Sequence, residues 1–454
     1  MKPATGREGG RNILFIAYHF PPSAAVGGQR IANFAAAVRT MAWQPQVLTI
    51  ADANIERIDP ARLKDVEGIP IHKAGVRRRA IRFAEWLWLQ WRRTTSNSPA
   101  GAGDQVLSPS VAGAPRTATG FRRFVLSFLA LPDWERGWCV PTTLHAFRTI
   151  RRERIEWFMT SCPPYSVHVI GLAVKLLTRR HWVADFRDPW MTTGSKRLYP
   201  TSRLSMRIEA WLERHVIEKA DLVLFNVDRL RTAYRERYSW LPASKFVFIP
   251  NGVAAARREP AVKYDVFTVS YTGSLYVGRS PEPVLAAIAR LIHEKKVSAD
   301  GIRLNLVGQC GTIDGVATET VVRRHRLEAV VKVCEPVPYR DAFDMIRRSH
   351  LALLLAPNLP YQIPAKVYDY LSAGTRILAI AEEGGTADLL NETGAGKAFC
   401  ATDVHGIADF LLAEIGAQGR TTAAATSLER YDIRHITEEL VGHLNRVSSD
   451  LART

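Results

Sequence analysis

A recurring unit constrains this chain more than any other feature: a short apolar run, a turn rich in glycine, proline or polar residues, then a helical pattern. From Asn12 to Ala17 the run Asn-Ile-Leu-Phe-Ile-Ala is continuously apolar, the pattern of a strand buried on both faces of a parallel sheet. His19-Phe20-Pro21-Pro22 and Gly27-Gly28-Gln29-Arg30 follow, then an apolar-periodic helix (Ile31, Phe34, Ala35, Val38) and a second strand, Gln46 to Ile50. That order is a strand, glycine loop, helix, strand unit. Further strands are expected at Trp157 to Thr160, Trp182 to Phe186, Leu222 to Phe225 and Phe246 to Ile249, with helical patterns at Val167 to Leu177 and Arg203 to Lys219. The alternation predicts a doubly wound α/β domain.

Pro250-Asn251-Gly252 and a polar stretch through Tyr264 interrupt the series, which restarts at Val266 to Tyr271. A helix from Glu282 to Lys295 follows, with strands at Arg303 to Val307, Val330 to Val333 and Leu351 to Leu355. A helix around Val367 to Ala373 then leads to a strand at Arg376 to Ile380. Two α/β domains are expected, residues 1–255 and 256–454. The last periodic segment (Ile436, Leu440, Val441, Leu444) is a helix that either caps the second domain or crosses back to the first. The 454 residues suit two or three domains at about 150 each, and 47% hydrophobic against 23% charged residues excludes a disordered chain.

The five cysteines, at 139, 162, 310, 334 and 400, include no Cys-x-x-Cys pair and leave one over. Neither a disulfide framework nor a zinc cluster is expected, and a reduced, cytoplasmic location fits. No secretory signal is read at the polar N-terminus, and no apolar run approaches the roughly 20 residues of a spanning helix.

The net charge of +17 favours anionic partners: nucleic acid, an anionic membrane or a phosphorylated small molecule. Residues 94–120, rich in Ser, Ala, Gly, Pro and Thr, are expected to be a mobile insertion. Before it, residues 77–93 gather Trp86, Trp88 and Trp91 with six arginines, among them Arg92 and Arg93. Indole at headgroup depth and guanidinium on lipid phosphate suit a membrane surface. A core helix with a solvated basic end reads equally well. No nucleic-acid-binding motif accompanies the charge, so no nucleic-acid partner is expected.

Chemistry-bearing residues cluster just after predicted strands, the edge where doubly wound sheets place their sites. In the first half these are His19 with Gly27-Gly28, the segment Cys162-Pro163-Pro164-Tyr165-Ser166-Val167-His168, and Asp185-Phe186-Arg187-Asp188-Pro189-Trp190. Taken alone, the glycines read better as an ordinary tight turn, and ion pairing within Asp-Arg-Asp is the plain alternative for the last. In the second half, Tyr271-Thr272-Gly273-Ser274-Leu275 with Arg279 offers backbone amides and a guanidinium suited to a diphosphate. Lys366 and Asp369, three apart on one helical face, are either a surface ion pair or a phosphate-binding cation and a carboxylate for ribose hydroxyls.

These motifs resemble those of bacterial family 4 glycosyltransferases. The resemblance rests on Phe15-Ile-Ala-Tyr-His-Phe-Pro-Pro with Gly27-Gly28, Pro163-Pro164, Asp185-Phe-Arg-Asp-Pro-Trp, Ile249-Pro-Asn-Gly-Val, Tyr271-Thr-Gly-Ser-Leu and Pro364-Ala-Lys-Val-Tyr-Asp-Tyr-Leu-Ser-Ala-Gly. It covers nearly the whole chain outside residues 94–120. It implies the GT-B fold, two Rossmann-like domains facing a cleft, with the acceptor held mainly by the first and a nucleotide-sugar by the second, and neither metal nor cofactor. Gly27, Gly28, Gly273, Ser274, Arg279, Lys366 and Asp369 are then donor-binding. His19, Ser166, His168, Asp185, Arg187, Asp188 and Trp190 are acceptor-side. The sequence departs from the family pattern where Tyr361 and Asp369 replace two glutamates, where Arg187 or Asp188 replaces a histidine, and where Ala254 replaces an acid.

The resemblance implies transfer of a sugar, with retention, from a nucleoside diphosphate donor to a glycan or lipid-linked acceptor hydroxyl in cell-surface polysaccharide synthesis. Arg279 and Lys366 would stabilise the leaving diphosphate, and Asp188 would orient the acceptor. The alternatives are a nucleotide-sugar epimerase, for which no acid and base pair is evident, and a silent nucleotide-sugar or membrane-binding scaffold, which Tyr361 favours.

Overall fold

The computed structural model describes residues 11–76, 124, 127–128, 130–191, 201–253, 261–276, 278–417 and 429–451. The chain divides into two compact units: Met1–Ile249 with Thr437–Thr454, and Pro250–Ile436.

In the first unit, continuous apolar runs make a parallel sheet of seven strands. They are β1 (Arg11–Ile16), β2 (Trp43–Ile50), β3 (Ile71–Ala74), β4 (Trp157–Cys162), β5 (His181–Phe186), β6 (Leu222–Phe225) and β7 (Phe246–Phe248), in the order β3-β2-β1-β4-β5-β6-β7. β1 pairs with β4 so that Ile13 lies beside Trp157 and Phe15 beside Met159, and all four are fully buried. The helices are α1 (Gln29–Val38), α2 (Cys139–Arg152), α3 (Ser166–Thr178), α4 (Arg203–Lys219) and α5 (Asp228–Arg237). α3 lies so close to β5 that a Cβ at Gly171 would overlap the Trp182 indole. The strand order runs outward from β1 in one direction and from β4 in the other, which makes the β1/β4 junction the switch point where a doubly wound sheet opens a crevice.

The second unit repeats the plan. β8 (Phe267–Thr272), β9 (Ile302–Val307), a small hairpin of β10 (Thr312–Ile313) and β11 (Val316–Ala317), β12 (Val331–Cys334), β13 (Leu351–Leu355), β14 (Arg376–Ile380) and β15 (Gly396–Phe399) follow in chain order. The main sheet is β12-β9-β8-β13-β14-β15, with its switch point between β8 and β13. Its helices are α6 (Glu282–His293), α7 (Thr318–Arg324), α8 (Tyr339–Arg348), α9 (Lys366–Ser372), α10 (Gly385–Thr393) and α11 (Val404–Gly416). Val269, Leu304 and Leu353 pack with Val284, Ile288 and Leu411 in one core. Leu354 and Ile377 pack with Val367, Leu371 and Leu390 in the other.

The last helix, α12 (Ile433–Leu451), starts in the second unit and ends in the first. There Asn445 accepts from Arg11 Nη1 (2.7 Å) and Ser448 Oγ accepts from Trp157 Nε1 (3.2 Å). The sequence reading omitted β3 and β15. Both are edge strands whose middles expose a lysine, Lys73 and Lys397, so neither has a continuous apolar run. Residues 77–93, with Trp86, Trp88, Trp91, Arg92 and Arg93, lie outside the described residues, as do the 94–120 insertion and Ala254.

Candidate functional site

Each unit brings sequence-predicted residues to the carboxyl edge of its sheet. In the first, the loops after β1, β4 and β5 meet at Arg187. Its guanidinium donates from Nε to Cys162 O (2.7 Å), from Nη1 to Gly27 O (2.5 Å) and from Nη2 to Pro163 O (2.9 Å). The side chain thus ties the glycine loop after β1 to the proline loop after β4. A Cβ on Gly27 would sit 3.2 Å from Arg187 Nη1, and one on Gly28 would sit 3.1 Å from His19 O, so both glycines serve close approach. Burial, and then the Arg187 charge, lowers the His19 pKa to about 4, which keeps the imidazole neutral near pH 7. Asp188 is half-buried beside Arg187 at the end of β5.

Four other predicted acceptor-side residues are buried and engaged inside the unit. Asp185 is an ion-pair partner of Arg30, with Arg30 Nη2 3.0 Å and Nε 3.1 Å from its oxygens, and it accepts from Ser161 Oγ (2.6 Å). The same Arg30 donates to Ile249 O (2.8 Å). Pairing within Asp185-Phe-Arg-Asp is therefore not the arrangement: Asp185 is neutralised by an arginine from α1, and Arg187 binds carbonyls. His168 Nδ1 shares a hydrogen bond with Thr160 Oγ1 (2.8 Å), and its ring lies 4.5 Å from that of Phe186; burial lowers its pKa to about 3. Trp190 stacks on Tyr165 at 5.2 Å and donates to Glu209 Oε2 (2.9 Å). Ser166, the first residue of α3, donates its N–H to Asp133 Oδ2 (2.7 Å). Side chains with almost no accessible surface shape the sheet edge rather than present groups to a ligand.

In the second unit the chain leaves β8 through Gly273, whose φ of 141° disfavours any side chain. Its N–H donates to Val307 O (2.7 Å), and a Cβ on Gly308 would overlap Gly273 O. The β8 and β9 loops are further joined by Leu275 N to Gln309 O (2.9 Å) and Ser274 Oγ to Gln309 Oε1 (3.2 Å). Lys366, at the start of α9, crosses the switch point: Nζ donates to Thr272 O (2.5 Å) and lies 4.9 Å from the centre of the Tyr271 ring. Arg279 lies half-buried with its guanidinium 4.3 Å over Tyr276. Burial first, and then the positive charge of Arg279, brings the Lys366 pKa down to about 8. The loop after β8 and the start of α9 thus bring two positive charges to this sheet edge. One turn along α9, Asp369 Oδ1 accepts from the hydroxyl of Tyr339 (2.9 Å), whose ring is 63% exposed.

Sequence reasoning missed Arg30, Tyr339 and the acidic pair of Asp133 and Glu135. Glu135 is held protonated toward pH 8, by burial and then by Asp133. Arg30 had a signal: it sits inside an apolar-periodic helix next to Ile31. Among the described residues no three His, Cys, Asp or Glu side chains gather as a metal site, and no helix is long and apolar enough to cross a membrane.

The model of the family described as Glycosyltransferase Family 4 matches residues 104–257. D-inositol 3-phosphate glycosyltransferase of Kineococcus radiotolerans is 26% identical over 198 residues, 40% of this chain and 45% of that protein. The Kribbella flavida enzyme of the same name is 23% identical over 210 residues, 44% and 48% of the two chains. The chain thus spans about half the length of the curated relatives it matches. Among solved structures, Anabaena Alr3699/HepE in complex with UDP-glucose matches with a TM-score of 0.57 at 15% identity, covering 96% of this chain and 99% of that one. The α,α-trehalose 6-phosphate synthase of Burkholderia multivorans matches with a TM-score of 0.60 at 14% identity, covering 98% of each. The family model bears out the family 4 resemblance over residues 104–257, and the solved structures show the fold: GT-B, with two parallel-sheet Rossmann-like domains.

Proposed function

We propose that this chain moves a sugar from a nucleoside diphosphate donor to a hydroxyl of a glycan or lipid-linked acceptor, with retention, in cell-surface polysaccharide synthesis. The observation that carries the reading is the pair Arg279 and Lys366 at the β8/β13 switch point, two cations in mutual repulsion beside a glycine loop. The Anabaena neighbour holding UDP-glucose and the curated relatives named as glycosyltransferases support it.

In this reading the diphosphate lies on Arg279 and Lys366, with Gly273 and Ser274 at its edge, and Asp369 accepts from the ribose hydroxyls. The bond from the anomeric carbon to the phosphate oxygen breaks, and charge grows on the departing diphosphate. The two side chains supply the countercharge in place before reaction, so none of it is lost to reorganisation. The acceptor hydroxyl bonds to the anomeric carbon on the face being vacated, and its proton passes to the leaving phosphate oxygen. No separate base is needed, and Asp188, next to Arg187, orients the acceptor. Because side chains carry the countercharge, turnover survives removal of divalent metal by EDTA.

The test is nucleoside diphosphate release from a panel of nucleotide sugars, with the anomer of the product read by NMR. The expected result is retained configuration and a loss of about 2 kcal/mol of transition-state binding, roughly thirtyfold in rate, for Arg279→Ala. Unchanged turnover in that variant would sink the assignment. Tyr361, where the family pattern has a carboxylate, favours one other reading, a binder without turnover; tight nucleotide binding with no product for any sugar would establish it.

A further inference from the structure

The outward face of α4 and the turn after α5 carry Trp211 and Trp240, the two exposed tryptophans among the described residues. Helix α4 starts with a capping box, Ser202 with Ser205. Its mid-helix glutamates point inward and are used up there. Glu209 accepts from Trp190 Nε1 (2.9 Å), and Glu213 accepts from Tyr234 and Tyr238 hydroxyls (2.8 Å each) and from Met191 N (2.8 Å). With the acids turned in, the spacing of three and four leaves Arg203, Leu204, Arg207, Trp211 and Arg214 on one exposed stripe. Trp211 is 55% exposed. Trp240, after α5, is 57% exposed and extends the stripe, because the Arg214 guanidinium sits 5.3 Å over its ring. Glu218, the acid on this side, is already paired with Arg214 at 2.7 Å.

We propose that this face, Arg203, Leu204, Arg207, Trp211 and Arg214 with Trp240, docks the protein on an anionic phospholipid bilayer. An indole is amphipathic and settles at headgroup depth, and the arginine stems lie along apolar surface while their heads reach lipid phosphate. Exposing two indoles to water brings no gain to a soluble surface, whereas grouped apolar residues rimmed by charge mark an interaction site. Charge chooses the partner: of the stripe's three arginines one is paired with Glu218, which leaves a balance of +2 from Arg203 and Arg207, on a chain of net charge +17. An anionic bilayer complements it, while a second copy of the same basic face would repel. This inference is separate from the sugar-transfer reading, and rests on residues outside both switch points.

The test is flotation of the full chain with vesicles of phosphatidylglycerol and phosphatidylcholine, against vesicles of phosphatidylcholine alone, for wild type, Trp211→Ser/Trp240→Ser and Arg203→Gln/Arg207→Gln. Thermal midpoints and circular dichroism verify that both variants are folded. The wild type is expected to float with anionic vesicles alone, with binding that weakens as salt rises. Each variant is expected to lose about tenfold or more in partition. Equal recovery on neutral vesicles, or unchanged recovery of both variants, overturns the proposal. So does a wild-type dimer in light scattering that the tryptophan variant dissolves while vesicle binding stays the same, since the face would then be a contact between copies.

Discussion

Gly273 leaves empty the space that Lys366 Nζ occupies: a Cβ there would overlap the ammonium, which donates to the carbonyl of the preceding residue, Thr272. The backbone φ of 141° adds a second demand for glycine. Gly273→Ala should therefore cost about 1–3 kcal/mol of stability through backbone strain. It should also displace the lysine from the end of β8 and weaken nucleoside diphosphate binding. Chemical denaturation and calorimetry on the same preparation read the two effects.

Lys366 gives the site a pH signature. Its value in the folded chain, about 8, lies below the ordinary 10.5 of the unfolded chain. Between those two values the unfolded chain binds the additional proton, so this residue's contribution to stability rises with pH across that window, and below pH 8 its full cost is present. The thermal midpoint of wild type relative to Lys366→Met should climb from pH 8 to 10; other lysines cancel in the difference. A bound diphosphate needs the charged form, so nucleotide affinity should fall as pH rises past about 8. Calorimetric titrations across that range should show the fall in wild type and none in Lys366→Arg.

Tyr339 positions a carboxylate. Its hydroxyl donates to Oδ1 of Asp369, the carboxylate proposed above to accept from the ribose hydroxyls. Tyr339→Phe keeps the exposed ring and removes that bond. Nucleoside diphosphate affinity should drop by about 1 kcal/mol, roughly fivefold, while the thermal midpoint stays put. An equal loss for inorganic diphosphate, which has no ribose, would point away from this role.

The buried pair of Arg30 and Asp185 holds the first unit's switch point. Arg30→Met leaves Asp185, with 0% exposure, without its arginine, a loss of about 3–5 kcal/mol. Replacing both, Arg30→Met with Asp185→Leu, should recover a substantial part. Urea midpoints of the single and double variants decide it; equal destabilisation by both would show that packing, not the stranded charge, sets the cost.

Much of this architecture was legible because parallel strands are buried on both faces: β6 and β13 are unbroken apolar runs, and β1 and β14 become so after their first one or two residues. β3 and β15 escaped notice because an edge strand has one wet side. At the sites, the meeting of Gly273 and Lys366 at one sheet edge could be anticipated, because a strand end, a glycine turn and a helix start are local patterns. The burial of Ser166, His168, Asp185 and Trp190 could not. A polar residue at a strand end has the same letter whether it faces a ligand or a buried partner, and Arg30 lies 155 positions from Asp185. Tyr339 gave no signal either, because its link to Asp369 exists only once β12 and β13 have brought α8 and α9 to the same sheet edge.

The central claim is that Arg279 and Lys366 hold a nucleoside diphosphate, and calorimetric titration with UDP, GDP, ADP, dTDP and CMP tests it most directly. The account predicts that wild type binds one nucleoside diphosphate selectively, and that Arg279→Ala and Lys366→Ala each weaken it by about tenfold or more. Folded wild-type protein that binds none of the five, or binding that both variants leave unchanged, would contradict it.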